Sequence, residues 1–454
     1  MNPSSTGLRL PAGYRNRDLL PRLRRIQQDT LGFLLDCARE FGDVTYFEAG
    51  GTRAFFVNHP DGIKHVLQDH ARNYNKNTIQ YNSLAVITGR GLLTSDGPLW
   101  LRQRRLEQPA FARPRLMALD QVVVPAMQAM LDRWESEAHQ GEPLDIDGEM
   151  MRTTLEIVGK SLFSIDLSGA AYELTGAVLT TLDHIVHRAR NPFYPPNWVP
   201  TPRNLRFQAA LKRLDREVYR LMQDRQQMDD PGDDMLGMLL RARDEDGQPM
   251  APTQVRDEII TLLIAGHETV ASALTWTWYL LAQQPDVRQK LEAEIQSVLG
   301  GRVPVSADLA SLPYTAAVFE EALRLYPPAW LITRTAIEAD QICGFDIPAG
   351  SLIILSPYVI HRQEAYWPDP EMFRPERFLA DAGKDRPRYA YIPFGGGPRL
   401  CIGSGFAAIE AQLMIAMTAQ RFQLELLPNH PVQVDALVTL RPHGGLPMRL
   451  VRVN

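Results

Sequence analysis

The stretch Phe394-Gly-Gly-Gly-Pro-Arg-Leu-Cys401-Ile-Gly403 decides which fold this chain is expected to adopt. A single cysteine follows a glycine-rich turn, and an apolar segment with helical periodicity runs from Phe406 to Met417. Glycine adopts positive φ without strain and lets the backbone approach a large flat ligand. A thiol just before a helix N-terminus meets the positive end of the helix dipole, which favours the thiolate. The stretch therefore predicts a metal-ligating cysteine, and the alternative is a buried structural cysteine after a turn.

A second motif, Ala265-Gly-His-Glu-Thr269, lies within a long apolar segment that predicts a helix over residues 252–283. The small Ala-Gly pair would let a flat ligand lie against the helix. Thr269 can give or accept a hydrogen bond, and Glu268 beside it can carry protons inward from water. The alternative is a packing glycine next to a pair of polar residues. His267 is expected to face a neighbouring helix or a solvent-filled groove rather than to ligate a metal.

Both motifs resemble those of one family, the cytochromes P-450. The first resembles the haem-binding signature F-x-x-G-x-R-x-C-x-G, matched at Phe394, Gly397, Arg399, Cys401 and Gly403. The second resembles the family's oxygen-activating segment, in which the threonine assists oxygen activation. The resemblance extends from about residue 33 to residue 452, and the N-terminal part looks closer to fatty-acid hydroxylases and microsomal relatives. It implies haem b as the cofactor, with the Cys401 thiolate as the axial ligand.

The resemblance also implies a fold that is mainly α with a small β region, in a single domain over residues 1–454. The helical body should comprise about residues 70–330 and 400–422, with a helix over 402–421. Strand-like segments at about 44–57, 331–355 and 437–453 are expected to form one small mixed sheet.

Further residues acquire candidate roles from the resemblance. Glu321 and Arg324, with Arg377, resemble the family's buried charge network, a structural role that requires mutual pairing. Four residues resemble contacts to the haem propionates: Trp100, Arg104, Arg334 and Arg399. The alternative for Arg102, Arg104 and Arg105 is a basic surface, which would itself suit an acidic redox partner. The expected haem-side wall of the substrate pocket is apolar and comprises Leu93, Ala265, Ala329, Trp330, Leu331 and Val438.

Composition excludes several classes of protein. The chain has 454 residues and a formal net charge of −5, so no basic footprint indicates nucleic-acid binding. Its three cysteines, Cys37, Cys343 and Cys401, are too few and too far apart for a disulfide framework, which fits a reducing cytoplasm. The apolar segment around His267 and Glu268 carries polar groups at its centre, so it indicates a buried helix rather than a transmembrane segment.

These observations predict a haem-thiolate monooxygenase that hydroxylates or epoxidises a hydrophobic fatty acid, terpenoid or steroid. A monomer is expected, served by a separate electron donor: a ferredoxin or flavodoxin with its reductase, or a diflavin reductase. The sequence leaves open whether Arg53 anchors a substrate carboxylate. Two rival functions are a peroxide-driven or rearranging haem-thiolate enzyme and a non-catalytic haem gas sensor.

Overall fold

The computed structural model describes residues 8–138, 142–165, 172–191, 194–230, 232–243, 247–380 and 383–453. These residues belong to two compact units. The first unit draws on Met1–Asn82, Ala329–Met372 and Gly383–Cys401, and the second unit on Ser83–Pro328, Phe373–Ala382 and Ile402–Asn454. Each unit therefore combines segments that are distant in the sequence.

The first unit is built on a six-stranded mixed sheet. Its strands, in spatial order, are Gly13–Arg15, Val44–Ala49, Thr52–Val57, Leu352–Leu355, Ile332–Ala336 and Tyr74–Asn75. The second and third strands form a hairpin in which Tyr46 is opposite Phe55. Tyr46, Phe55 and Ile353 are at most 1% exposed and form part of one buried apolar cluster. A separate hairpin, Asp340–Ile342 with Phe345–Ile347, belongs to the same unit. The unit also contains the α-helices Leu23–Gln28, Thr30–Phe41, Pro60–Lys64 and Pro357–Ile360.

The second unit is mainly helical. Several of its helices begin with proline, whose fixed φ suits the first helical position and whose missing N–H is not needed there. At Pro202 the preceding Thr201 hydroxyl also accepts a hydrogen bond from the Asn204 amide at 3.1 Å. Ten of its α-helices are Gly97–Glu107, Asp120–Ala138, Ile146–Phe163, Tyr172–Arg190, Pro202–Gln226, Met235–Arg241, Pro252–Gln283, Pro285–Leu299, Pro313–Leu325 and Ser404–Arg421. Two further helices are Ile79–Thr88, which crosses the boundary between the units in the sequence, and Arg113–Met117.

The helix Pro252–Gln283, called the central helix below, has the predicted bounds, and the helix expected at 402–421 begins at Ser404. The strands do not form one mixed sheet. Pro447–Arg452 pairs with Phe422–Leu426, a strand that was not predicted, and with Leu144–Asp145. The hairpin Val434–Ala436 with Leu440–Pro442 stands apart from both. An alternating pattern indicates a strand but does not specify its partner.

Within the described residues, the central helix is the one helix long and apolar enough to cross a membrane by length and composition. Its most apolar window is 83% buried inside the protein, as in the core helix of a globular domain. His267 and Glu268 lie in this buried part.

Candidate functional site

The thiolate loop, Phe394–Cys401, lies in the first unit and is closed by its own backbone. The Cys401 amide donates to the Phe394 carbonyl at 3.0 Å, and the Leu400 amide donates to the Gly397 carbonyl at 3.1 Å. Gly397 has φ +63°, and a Cβ there would lie 1.8 Å from the Leu67 carbonyl oxygen. Only glycine fits this contact, so the loop packs directly on the backbone of the segment around Leu67.

The three cysteines have different environments. Cys37 is buried, and burial raises the pKa of its thiol to about 12. Cys343 is exposed and lies in a turn with φ +50° rather than in a strand; its thiol packs against Gly62, and partial burial of the sulfur raises its pKa. Cys401 is exposed and precedes the helix Ser404–Arg421 in the chain. A thiolate ligand requires a thiol that ionises, and burial opposes ionisation of both Cys37 and Cys343.

The four candidate propionate contacts are distributed over both units. In the first unit Arg334 is buried on its strand, where its Nη1 donates to the Tyr81 hydroxyl at 3.1 Å and to the Thr333 carbonyl at 2.8 Å. Arg399 is half-buried at the end of the thiolate loop. In the second unit Trp100 and Arg104 are half-buried one turn apart on the helix Gly97–Glu107. Propionate binding by these residues stays a prediction.

The central helix presents Ala265 and Thr269 on one face of an otherwise buried stretch. The Thr269 hydroxyl donates to the Ala265 carbonyl at 2.8 Å, a local bond that fixes its rotamer. Gly266 has a different role from the one expected. A Cβ on Gly266 would lie 2.9 Å from Val158 Cγ2, so this glycine permits close packing against the helix Ile146–Phe163. The sequence could not distinguish a glycine facing a ligand from one facing another helix.

Glu268 is almost fully buried and points to the hairpin that ends at Pro442. Its Oε1 accepts a hydrogen bond from the Thr439 hydroxyl at 3.0 Å. Burial raises the pKa of Glu268, while the Arg441 charge and the Thr439 bond act in the opposite direction. Arg441 itself pairs with the buried Asp147. Thr439, Arg441 and Asp147 were not identified from the sequence. They are distant from Glu268 in the chain and come near it only in the folded structure.

His267 faces the protein interior rather than a solvent-filled groove. It is 1% exposed, and its Nδ1 lies 2.6 Å from the Leu263 carbonyl. Burial lowers the pKa of its imidazole to about 4, so the ring is neutral at physiological pH.

The predicted charge network is present within the second unit. Arg324 donates to Glu321 through Nε at 2.7 Å and through Nη2 at 2.8 Å, and both side chains are fully buried. Arg377 Nε lies 3.3 Å from Glu321 Oε1, which also accepts the Arg374 amide at 2.9 Å. Glu321 thereby ties the segment around Arg374 to the helix Pro313–Leu325.

The six expected pocket residues also come from both units: Ala329, Trp330 and Leu331 from the first, and Leu93, Ala265 and Val438 from the second. Trp330 is buried, and its carbonyl accepts from the Ser356 hydroxyl at 2.9 Å. Val438 lies in the turn of the hairpin that carries Thr439. Next to Leu93, the Leu92 amide donates to Glu258 at 2.8 Å. Glu258 forms a fully buried pair with Glu107, which the sequence did not reveal.

The residues fit a haem in their chemistry. A Cβ at Gly395 would meet Ile332 Cδ1 as its nearest described neighbour, at 4.0 Å, so the loop leaves an open surface beside Phe394. Cys401 offers a soft anionic ligand of the kind that holds haem iron. Three arginines, Arg104, Arg334 and Arg399, offer the donors that carboxylates require.

Comparison with known proteins agrees with this assignment. The sequence matches the family described as Cytochrome P450 over residues 19–446. It is 37% identical over 396 residues to cyclooctatin synthase of Streptomyces melanosporofaciens, covering 86% of this chain and 85% of that protein. It is 34% identical over 412 residues to pentalenene oxygenase of Streptomyces avermitilis, covering 90% of each.

Solved structures of the family have the same fold. CYP175A1 of Thermus thermophilus has a TM-score of 0.79 and 32% identity, covering 97% of this chain and 99% of that one. The retinoic-acid-bound cyanobacterial CYP120A1 has a TM-score of 0.87 and 26% identity, covering 98% of this chain and all of the other. Haem held by a cysteine thiolate is the cofactor of these proteins. The chain therefore belongs to the cytochrome P450 family of haem-thiolate monooxygenases.

Proposed function

We propose that this enzyme inserts one atom of O₂ into a neutral, hydrophobic terpenoid, by hydroxylation or epoxidation. The observation that carries the proposal is the Cys401 loop in a chain whose relatives include a cyclooctatin synthase and a pentalenene oxygenase. The six candidate pocket residues are apolar and would suit such a substrate. Haem, when bound, supplies the oxygen and electron chemistry, and the protein supplies positioning and protons.

Each residue then has a definite task. Cys401 supplies the thiolate, and Arg104, Arg334 and Arg399, with Trp100, hold the propionates. Thr269 presents its hydroxyl from the half-buried face of the central helix. Glu268 holds and releases a proton, because burial favours its neutral form while Thr439 and Arg441 stabilise its carboxylate.

Neutral substrates are favoured over fatty acids by the position of Arg53. Arg53 is exposed at the start of the strand Thr52–Val57, opposite Glu48 in the hairpin register. An exposed arginine beside a carboxylate is a weak anchor for a substrate acid, because solvent screens it and Glu48 competes for it.

The electron donor is expected to be a separate, acidic protein. The enzyme itself is expected to be a cytoplasmic monomer. Arg102 and Arg105 are exposed on one helix, and Arg113 and Arg115 are exposed on the helix Arg113–Met117. A surface of this charge attracts acidic partners and accelerates their association at low ionic strength.

The test of the ligand assignment is the spectrum of the reduced protein under CO. Wild type should show the strongly red-shifted Soret band of thiolate ligation, and Cys401→Ser should lose it even where haem is retained. Cys37→Ser and Cys343→Ser serve as controls and should keep it. Retention of the band in Cys401→Ser, with loss in either control, would show that the assignment is wrong.

A further inference from the structure

Two histidines and an aspartate of the first unit converge at a point that the proposed reaction does not use. His65, His70 and Asp340 each offer one ligand atom, and these atoms lie within 4.8 Å of one another. His65 Nε2 is 2.8 Å from Asp340 Oδ2, and His70 Nδ1 is 3.5 Å from the same oxygen. Ligand atoms bound tetrahedrally to zinc at ~2.0 Å are roughly 3.3 Å apart. The two measured separations bracket that value.

The backbone between the histidines has an unusual form. One turn of π-helix spans His65–Asp69, and the His70 amide donates to the His65 carbonyl at 2.8 Å. Residues five apart lie on different faces of an α-helix. Here the two imidazole rings stack with their centroids 3.9 Å apart. Single π-turns are rare and frequently occur at functional sites.

Asp340 is held in place by hydrogen bonds to both of its carboxylate oxygens. The Tyr74 hydroxyl donates to its Oδ2 at 2.7 Å, and the Gln341 amide donates to its Oδ1 at 2.8 Å. Outer hydrogen bonds of this kind orient metal-binding carboxylates. His70 is 53% exposed, which leaves a path for a hydrated ion.

We propose that His65, His70 and Asp340 bind a divalent transition metal, with Zn²⁺ as the fitting ion and water as its fourth ligand. Two imidazoles and one carboxylate form a donor set that suits zinc. The competing explanation is a His–Asp–Tyr hydrogen-bond cluster that binds no ion.

The position of the site gives the metal a role. The Leu67 carbonyl on which Gly397 packs lies within the same π-turn. Gln68 of that turn accepts a hydrogen bond from the Tyr389 hydroxyl at 2.7 Å. A metal that joins both ends of the turn to Asp340 would hold the surface that supports the thiolate loop.

Zinc binding can be measured on the holoenzyme. The protein is stripped of loosely bound metal with a chelator and titrated calorimetrically with Zn²⁺. One ion should bind per chain, and His70→Ala and Asp340→Asn should each weaken binding at least tenfold. His443→Ala is the matched control, because it removes a histidine from another exposed His–Asp contact, at 2.9 Å to Asp435, and should change nothing. Absence of stoichiometric binding, or equal affinity in His70→Ala, would overturn the site in favour of the hydrogen-bond cluster.

The supporting role needs a second readout, and it rests on the proposed thiolate ligand. Zn²⁺ should slow the loss of the thiolate-type CO spectrum on heating in wild type and have no effect in His70→Ala. Zinc binding without slower loss would reject the supporting role and keep the site. Failure of the Cys401 assignment would appear separately, as a thiolate spectrum that survives in Cys401→Ser.

Discussion

Single side chains on the central helix show how context sets a residue's role. Thr269 and Thr277 form the same local bond, each donating to the carbonyl four residues earlier, at 2.8 Å and 2.7 Å. Thr277 is fully buried, whereas Thr269 is half-exposed beside Ala265. Of these two residues, Thr269 is the one that a substrate or water can reach. The predicted role of Thr269 in proton delivery depends on that exposure.

Thr269→Ala should therefore uncouple the reaction while leaving haem binding intact. Product formed per NADPH is expected to fall roughly tenfold or more, with hydrogen peroxide released instead, because a positioned proton donor is lost. Product and peroxide are measured together in a turnover with any ligand that shifts the haem spin state. Thr277→Ala is the matched control and should keep the wild-type ratio. An unchanged ratio in Thr269→Ala and in Glu268→Gln would refute the proton-delivery role.

At the scale of secondary-structure elements, helix packing explains Gly266. Its missing side chain lets the central helix approach Val158 on the helix Ile146–Phe163. Overpacking a tight contact costs about 1–3 kcal/mol. Gly176 lies in the helix Tyr172–Arg190, and a Cβ there would have no described atom within 4 Å.

Gly266→Ala should accordingly destabilise the protein by about 1–3 kcal/mol. Gly176→Ala should stabilise it by roughly 0.5–1 kcal/mol, since alanine favours an exposed helix position. Denaturant unfolding of the holoenzyme measures both. Adding Val158→Ala to Gly266→Ala should recover part of the loss as a coupling energy. Similar effects of the two glycine substitutions would contradict the packing explanation.

The helix Gly97–Glu107 and the central helix each contribute a buried glutamate, Glu107 and Glu258, to one pair of neighbouring carboxyl groups. Burial and the neighbouring Glu258 raise the pKa of Glu107, and burial raises the pKa of Glu258 to about 7. Between about pH 4.3 and 7 the unfolded chain releases protons that the folded chain keeps. The free energy of unfolding therefore falls as pH rises through this window, by up to about 1.4 kcal/mol per pH unit for each proton.

Glu107→Gln should reduce this pH dependence. A glutamine can donate to the Glu258 carboxylate without carrying a second charge. The stability of Glu107→Gln relative to wild type should increase from pH 5 to pH 8, as followed by denaturant unfolding at several pH values. Glu425→Gln, at a surface ion pair with Arg449, is the control and should show no such increase. A constant difference between Glu107→Gln and wild type would show that the pair does not share a proton.

At the scale of the whole molecule, the question is which substrate the enzyme accepts. The chain carries a net charge of −5, and Arg53 is exposed opposite Glu48. Neither feature favours an anionic substrate. Affinity should therefore follow apolar surface more than charge.

A matched pair of ligands tests this expectation. A long-chain fatty acid and its methyl ester should shift the haem spin state with affinities within tenfold of each other, and a neutral terpene should bind at least as tightly. Arg53→Ala should leave all three affinities nearly unchanged. A loss far above tenfold (about 1.4 kcal/mol) on esterification, removed by Arg53→Ala, would establish a carboxylate clamp and favour fatty acids.

The sequence by itself determined the family, the glycine-rich turn before Cys401 and the bounds of the central helix. These depend on local chemistry: glycines before Cys401, an apolar run of the right length, and residue types at fixed spacing. It also identified Glu321, Arg324 and Arg377, through the resemblance of their order in the chain to the buried charge network of the family.

Only the tertiary structure decided how distant segments meet. It paired Glu268 with Thr439, Glu107 with Glu258, and His65 with Asp340, which is 275 residues away in the chain. It also assigned Gly266 to helix packing and separated the C-terminal strands from the larger sheet. A periodic pattern indicates which face of an element is buried. The partner of that face depends on the packing of the whole chain.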